Sequence, residues 1–254
     1  MGIFEGYLLA TDLDGTLLGT DKKVSKENAD AIRFFQSEGG LFTVATGRYP
    51  DFLYGYSDIF TVDECVIGLN GNMIYDMKKH EVRFIARMEK DRLKNLLDTA
   101  LSHFEHEIYC IKVNDDVESY EYDGKVVRDV CKSIIIASDA KSAVIIRDFL
   151  NRVFGSEFKV ARSWPTGVEI FKKGSGKGEC LRYIRENINP DIKVTVGVGD
   201  YENDITMLEM ADISYAVKNA SDDAKAAADR VTAVDNDHGA IAFVIDDIRK
   251  ELAK

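Results

Sequence analysis

The chain has 254 residues, 45% of them hydrophobic, which is enough apolar material for one large domain or two smaller ones. Its formal net charge of −11 disfavours nucleic acid as a partner, because proteins that bind the phosphate backbone carry a basic face. No apolar run approaches the ~20 residues needed to span a bilayer, and the N-terminus lacks a signal-peptide pattern, so we expect no membrane partner.

The four cysteines are far apart in the sequence and form no C-x-x-C pair. Disulfide frameworks and zinc sites usually show closer and more regular spacing. We therefore expect a reduced, cytoplasmic setting. The sequence gives no indication of the oligomeric state. The cysteines are Cys65, Cys110, Cys131 and Cys180.

Strands and helices alternate in the N-terminal part of the chain. Apolar runs predict buried strands, and amphipathic stretches with capping residues predict helices. The predicted elements are a strand at 7–11, a helix at 25–40 with Ser25 as its N-cap, a strand at 41–46, a helix opening at Pro50 and a strand at 64–69.

The middle of the chain has a different pattern. Between about 83 and 172 the sequence is mostly β-like, with helices predicted near 89–105 and 139–153. This stretch carries 15 basic and 15 acidic side chains, so the whole excess of negative charge belongs to the flanking segments. We therefore predict an α+β cap domain at 83–172, inserted into a core formed by 1–82 and 173–254.

The alternation resumes in the C-terminal part. The predicted elements are a strand at 192–199, a helix at 201–211, a strand at 213–217, a helix at 221–229, a strand at 230–234 and a helix from about 239. Strands that alternate with helices predict a parallel sheet covered on both faces. The predicted fold class is therefore α/β, with a Rossmann-like parallel-sheet core.

Polar residues follow several of the predicted core strands. Asp12 and Asp14 follow the first strand, and Thr46, Gly47 and Arg48 follow the second. Asp200 follows the strand at 192–199, with Asn203 and Asp204 on the next turn. Because ligands of open parallel sheets bind outside the carboxyl ends of the strands, we expect these residues to share one site.

Four converging carboxylates would repel one another strongly, by about 4 kcal/mol for each pair at ~4 Å and an effective dielectric near 20. A site that also takes a phosphate dianion therefore needs cations. Mg²⁺ is a hard ion that takes oxygen ligands of this kind. Lys177, near a predicted helix N-terminus, would supply a second positive charge, and Thr46 and Gly47 would form a phosphate cradle.

Each of these residues also has an ordinary structural explanation. Asp12 and Asp14 can be turn residues, Asp200 an N-cap, Asp204 a favourable first-turn acid and Lys177 a surface charge. Their joint occurrence at corresponding strand ends favours the functional explanation.

The motifs together resemble the haloacid dehalogenase-like hydrolase superfamily, and within it the Cof-type phosphatases with a large α+β (type IIB) cap. The resemblance covers nearly the whole predicted core, in order. The matching stretches are DLDGTLL (12–18), VATGR (44–48), LNG (69–71), GKGECL (176–181), GVGDYENDITML (197–208), AVKNASDDAKAAAD (216–229) and DNDHGAIAFVI (235–245). Leu69, Asn72 and Gly176 depart from the residues common in that family.

The resemblance implies a role for each motif residue. Asp12 would be the nucleophile that forms an aspartyl-phosphate, and Asp14 would be the general acid and base. Mg²⁺ would be held by Asp12, the Asp14 backbone carbonyl and Asp200, with Asp204 and Asn203 nearby. The phosphoryl group would be held by Leu13, Thr46, Gly47, Lys177 and Asn203, with Arg48 and Asn70 as candidate substrate contacts.

The expected activity is hydrolysis of small phosphorylated metabolites of the sugar-phosphate type. Two other functions stay open: a phosphotransferase or mutase on the same core, and a non-catalytic metabolite-binding module. In the predicted cap, Arg162 and Trp164 are candidate contacts to the leaving group. Packing or a hinge role is an equally good explanation for Trp164.

Overall fold

The structure, a computed structural model, describes residues 2–114 and 119–253. The chain forms two compact units: Met1–Arg83 together with Gly176–Lys254, and Phe84–Ser175. Among the described residues, no helix is long and apolar enough to cross a membrane.

The first unit is built on a five-stranded parallel sheet. Its strand order is β13-β12-β11-β1-β2, and β3 lies beside β2 through a bridge between Ala45 and Ile67. Because neighbouring parallel strands need crossover connections, the chain leaves and re-enters the sheet through helices. The five strands of the sheet are β1 (Tyr7–Thr11), β2 (Leu41–Val44), β11 (Val194–Gly199), β12 (Ile213–Ala216) and β13 (Arg230–Val231). The adjoining β3 spans Val66–Gly68 and belongs to a separate sheet.

The described residues of this unit form five α-helices: α1 (Lys26–Ser37), α4 (Lys177–Tyr183), α5 (Ile205–Met210), α6 (Asp222–Ala227) and α7 (Ala240–Leu252). Ser25 caps α1, as predicted, by accepting a hydrogen bond from the Asn28 amide. The Asn28 side chain in turn accepts from the amides of Ile241 and Ala242, at the start of α7. The apolar faces of these helices cover the buried strands and form the unit's core.

Two local features differ from the sequence-based expectation. The helix predicted to open at Pro50 is a 3-10 helix over Pro50–Tyr56. A hairpin of β4 (Met73–Asp76) and β5 (Glu81–Ile85) extends β3 and was not predicted. Its connection carries His80 in the left-handed region (φ 55°) rather than a glycine, so the usual turn signal is missing.

The second unit is α+β. Its antiparallel sheet has the order β7-β6-β8-β10-β9, and helices α2 and α3 share one apolar core with it. These findings confirm the predicted fold class, an α/β parallel-sheet core with an inserted α+β cap domain. The elements are α2 (Lys90–Phe104), β6 (Ile108–Asn114), β7 (Ser119–Glu121), β8 (Lys132–Ala137), α3 (Ala140–Phe154), β9 (Phe158–Trp164) and β10 (Gly167–Lys172).

Candidate active site

The register of the parallel sheet brings three strand ends to one edge. Thr11, the last residue of β1, pairs with Val198 on β11 and with Val44 on β2. Asp12 directly follows Thr11. Two residues after Val198 and Val44, respectively, come Asp200 and Thr46. The sheet therefore gathers residues that are up to 188 positions apart in the chain.

Three carboxylates form a cluster at this edge. Asp12, Asp200 and Asp204 each offer an oxygen, and these oxygens all lie within 4.8 Å of one another. Asp12 and Asp204 are buried, and Asp200 is partly buried. Carboxylate oxygens in this arrangement are suitable ligands for a hard divalent cation.

Lys177 is the positive partner of the cluster. It is the first residue of α4 and is fully buried, with its Nζ 2.5 Å from Asp12 Oδ1 and 2.5 Å from Asp204 Oδ1. Burial by itself would lower the pKa of Lys177, but the two carboxylates raise it above its usual range. The lysine is therefore charged, and the explanation of Lys177 as a surface charge is wrong.

Negative charge remains in excess in this cluster. Burial raises the pKa of Asp12; Lys177 lowers it, and Asp204 raises it further. Burial, followed by the charges of Asp12 and Asp204, raises the pKa of Asp200. When all three carboxylates are ionised, one lysine leaves two negative charges, and the raised pKa values of Asp12 and Asp200 show that this state is unfavourable without a further cation. The donor set and the charge therefore both fit a divalent cation.

Asp204 has a structural role as well. Its Oδ2 accepts hydrogen bonds from the amides of Asp200 (2.9 Å) and Tyr201 (3.2 Å), which fixes the turn between β11 and α5. The Thr16 hydroxyl donates to Asp200 Oδ1 at 3.3 Å. Thr16 lies inside the DLDGT motif but was not among the predicted site residues.

The Asp14 carboxylate lies outside the three-carboxylate cluster. Arg48 binds it with two parallel bonds, Nε to Oδ2 and Nη2 to Oδ1, both 2.7 Å long. Lys22 Nζ donates to Oδ1 at 3.0 Å. Partial burial raises the pKa of Asp14, but the hydrogen bonds from Arg48 and Lys22 outweigh this effect and hold the pKa below its usual range.

The expectation of four converging carboxylates is therefore corrected to three. The physical reason is that two cations draw the Asp14 side chain to themselves. One of them, Lys22, belongs to no recognisable motif, so no sequence signal could have identified it.

The predicted phosphate cradle is only partly open. The Thr46 amide donates to the Ile67 carbonyl at 2.8 Å, and the Thr46 hydroxyl oxygen accepts from the Arg48 amide at 3.2 Å. Thr46 can therefore offer its hydroxyl hydrogen but not its amide. Leu13 is buried, and its backbone forms a hydrogen bond to the Asp12 carboxylate.

Two asparagines meet beside this cradle. Asn203 Nδ2 donates to Asn70 Oδ1 at 3.0 Å, and both residues are buried. Asn203 Oδ1 is buried without a hydrogen-bond partner among the described residues. A Cβ built on Gly47 would lie 2.9 Å from the Asn70 side-chain Nδ2, so the glycine allows close approach to the Asn70 side chain.

The LNG loop has an unusual backbone. Leu69 (φ 50°), Asn70 (φ 56°) and Gly71 (φ 91°) all lie in the left-handed region. A Cβ on Gly71 would lie 2.0 Å from the Gly176 carbonyl carbon, and Cys180 Sγ donates to the Gly71 carbonyl at 3.0 Å. Backbone strain of this kind often occurs near functional sites.

Arg162 and Trp164 belong to the second unit, on β9. Trp164 is 36% exposed, and a Cβ on Gly167 would lie only 2.1 Å from its indole ring. The ring therefore packs over Gly167 of the neighbouring strand. Their role toward a substrate stays a prediction.

Comparison with known proteins agrees with these features. The model of the haloacid dehalogenase-like hydrolase family matches residues 9–125 and 112–245. The 5-amino-6-(5-phospho-D-ribitylamino)uracil phosphatase YitU of Bacillus subtilis is 26% identical, over 94% of this chain and 96% of its own length. Phosphatase YwpJ of the same organism is also 26% identical, over 91% of this chain and 96% of its own.

Solved structures share the fold. A HAD/COF-like hydrolase from Plasmodium vivax superposes with a TM-score of 0.81 at 23% identity, covering 98% of this chain and 97% of its own. The HAD subclass IIB sugar phosphatase BT4131 gives a TM-score of 0.79 at 20% identity, covering 96% and 99%.

The fold and the acidic cluster thus define an α/β protein with a candidate site at the carboxyl edge of a parallel sheet. The chain belongs to the haloacid dehalogenase-like hydrolase family. The resemblance stated from the sequence motifs is confirmed. The prediction of a phosphatase-class enzyme is also confirmed, because YitU and YwpJ, which match more than nine-tenths of the chain, are phosphatases.

Proposed function

We propose that this protein is a Mg²⁺-dependent phosphatase of small phosphorylated metabolites, acting through an aspartyl-phosphate on Asp12. The observation that carries the proposal is the buried Lys177, held between Asp12 and Asp204. A buried lysine in this position can balance the charge of a transferring phosphoryl group beside a nucleophilic carboxylate.

The proposed reaction has two steps. The Asp12 carboxylate attacks phosphorus, the bond to the leaving oxygen breaks, and Asp14 gives that oxygen a proton. Asp14 must be protonated for this step, and the negative charge of a bound phosphoryl group would raise its pKa from the lowered value that Arg48 and Lys22 cause. Asp14 then takes a proton from water, whose oxygen attacks phosphorus and releases inorganic phosphate from Asp12. In both steps the phosphoryl group would be oriented by Thr46, Gly47, Lys177, Asn203 and the Leu13 backbone.

The metal proposal is supported by the charge and donor chemistry of the cluster. Mg²⁺ would be held by the carboxylates of Asp12, Asp200 and Asp204 and by the Asp14 backbone carbonyl. When bound, the ion would neutralise the cluster and the phosphoryl oxygens.

We further propose that the inserted unit acts as a cap that selects the substrate, with Asn70, Arg162 and Trp164 as candidate contacts. Sugar phosphates are the proposed class. This choice is supported by the similarity of fold to a sugar phosphatase. The net charge of −11 argues against nucleic acid as a substrate.

A reducing, cytoplasmic setting is also proposed. It is supported by the four cysteines, all within the described residues, none of which forms a disulfide and three of which are buried.

The test is phosphate release from about fifty phosphate esters, with Mg²⁺ and with excess chelator. Asp12→Asn is the inactive variant, and Asp30→Asn, an exposed aspartate on α1, is the matched control. We expect release that requires metal, is lost in Asp12→Asn and persists in Asp30→Asn.

Release that persists in chelator or in Asp12→Asn would refute the proposal. Formation of an isomer without phosphate release would favour a mutase. Tight metabolite binding without turnover under any metal would favour a binding module.

A further inference from the structure

Arg48 was expected from the sequence to contact the substrate, but in the structure its guanidinium is committed to Asp14. Two of its five N–H groups form the fork on the Asp14 carboxylate, with both distances at 2.7 Å. A planar fork fixes a carboxylate in orientation as well as in position, which a single point charge cannot do.

The guanidinium is itself supported from the other side. Its central carbon lies 3.9 Å from the centre of the Phe52 ring, within the range of a cation–π contact. Phe52 belongs to the 3-10 helix Pro50–Tyr56, which starts two residues after Arg48. The ring leaves the guanidinium little freedom to tilt away from Asp14.

The same 3-10 helix also steadies the second cation. Tyr56 donates from its hydroxyl to the Lys22 carbonyl at 3.1 Å, and Lys22 has a left-handed backbone (φ 62°). The Lys22 ammonium then reaches Asp14 Oδ1 at 3.0 Å. The 3-10 helix therefore contacts both Arg48 and Lys22, the two residues that bind the Asp14 carboxylate.

The donors leave one open position on the carboxylate. An ionised carboxylate has about four lone-pair sites. Arg48 and Lys22 occupy both sites of Oδ1, and Arg48 occupies one site of Oδ2, among the described residues. The remaining lone pair on Oδ2 is the position left open for a further hydrogen-bond partner.

From this geometry we infer that Arg48, backed by Phe52, is a positioning residue for Asp14, which orients Oδ2 for proton exchange with the leaving oxygen. The inference rests on the proposed function, since it takes Asp14 as the general acid and base. It assigns Arg48 an action through Asp14 instead of through the substrate phosphate.

Leaving-group dependence tests this role. The leaving oxygen of an alkyl phosphate needs a proton. The leaving group of p-nitrophenyl phosphate is p-nitrophenolate, a stable anion that needs none. The experiment compares kcat and KM for both esters in the wild type, Arg48→Met, Arg48→Lys and Asp14→Asn. The alkyl ester is one that the wild type hydrolyses.

For Arg48→Met we expect a kcat loss on the order of 10²-fold with the alkyl ester and only about 3-fold with p-nitrophenyl phosphate, because general-acid catalysis typically contributes 10²–10⁴-fold. Arg48→Lys should fall between Arg48→Met and the wild type. Added guanidinium should restore Arg48→Met with the alkyl ester only.

For Phe52→Leu we expect kcat to fall more with the alkyl ester than with p-nitrophenyl phosphate, but by less than in Arg48→Met. The matched controls are Arg33→Met and Phe34→Leu on α1, which should change neither ester.

The outcomes separate the two claims. If Asp14→Asn shows no alkyl-over-aryl selectivity, the proposed role of Asp14 fails and the inference falls with it. If Asp14→Asn is selective but Arg48→Met slows both esters equally or mainly raises KM, the inference alone is overturned and Arg48 is a substrate contact. Selective loss in both variants supports it.

Discussion

At the scale of single residues, the site shows how burial and pairing decide what a charge does. Lys177 and Asp12 are 165 positions apart, yet they form a buried ion pair. Removing one partner of such a pair leaves an uncompensated charge, which is strongly destabilising. Asp12 and Asp14 are only two positions apart, and they have different partners and opposite shifts in pKa.

Asp212 provides a residue-scale test of electrostatic stability outside the site. It accepts hydrogen bonds from the Thr195 amide (2.7 Å) and hydroxyl (2.8 Å) and from Arg185 (2.8 Å). Partial burial raises its pKa, but these bonds outweigh burial and lower it. Its charge therefore stabilises the fold above the unfolded-state pKa of about 4, and this contribution is lost as the pH falls through the folded-state pKa.

We predict that Asp212→Asn lowers the free energy of unfolding at pH 7 by about 1 kcal/mol, since the pair with Arg185 is partly exposed and screened. The difference from the wild type should shrink towards pH 3. Urea unfolding at several pH values measures it, with the exposed Asp58→Asn as control. A difference that stays constant with pH would contradict the assignment.

At the scale of elements, the loop between β3 and β4 is fixed by contact with the start of α4. Gly71 lies against the backbone of Gly176, the residue before Lys177. Only glycine combines the left-handed backbone with so close an approach. The loop conformation and the position of Lys177 are therefore mechanically linked.

Gly71→Ala tests this link. We predict a loss of about 2 kcal/mol or more in the free energy of unfolding, because the new Cβ meets Gly176 and the backbone is strained. Phosphatase activity should fall as well, because Lys177 must shift. The control is Gly55→Ala, where a Cβ meets nothing within 4 Å. Wild-type stability and activity in Gly71→Ala would show that the contact is not tight.

At the scale of the whole molecule, charge is divided unevenly along the chain. The stretch 83–172 is neutral, and the flanking segments carry the entire excess of negative charge. The proposed phosphate-binding residues nevertheless lie in those acidic segments. Lys177, Arg48 and Lys22 reduce the negative charge of the site but are paired with its carboxylates. We therefore expect the proposed divalent cation to be needed to offset the repulsion of a phosphorylated substrate.

Trp164→Ala tests the proposed role of the inserted unit. If the indole contacts the leaving group, the ranking of substrates should change by about tenfold for some esters, with KM affected more than kcat, while the melting temperature stays close to that of the wild type. Tyr109→Ala, at an aromatic side chain that is 80% exposed in the same unit, is the control. An unchanged ranking with a lower melting temperature would assign Trp164 to packing over Gly167.

The sequence by itself determined the family, the alternation of strands and helices, and the positions where strands end in Asp12, Thr46 and Asp200. These are local properties, because hydrophobic periodicity, capping residues and short motifs act over a few neighbouring residues. The Ser25 cap and the parallel core followed directly from them. The hairpin of β4 and β5 did not, because its turn uses His80 instead of a glycine.

Only the tertiary structure decided which charges pair. Lys177 lies between Asp12 and Asp204, and Asp14 turns to Arg48 and Lys22, away from the other carboxylates. Side-chain partners of this kind depend on distances between segments that the chain brings together from afar. Spacing along the sequence predicts the face of a strand or helix from which a side chain projects. The partner of that side chain depends on which charged groups the fold places within about 3 Å of it.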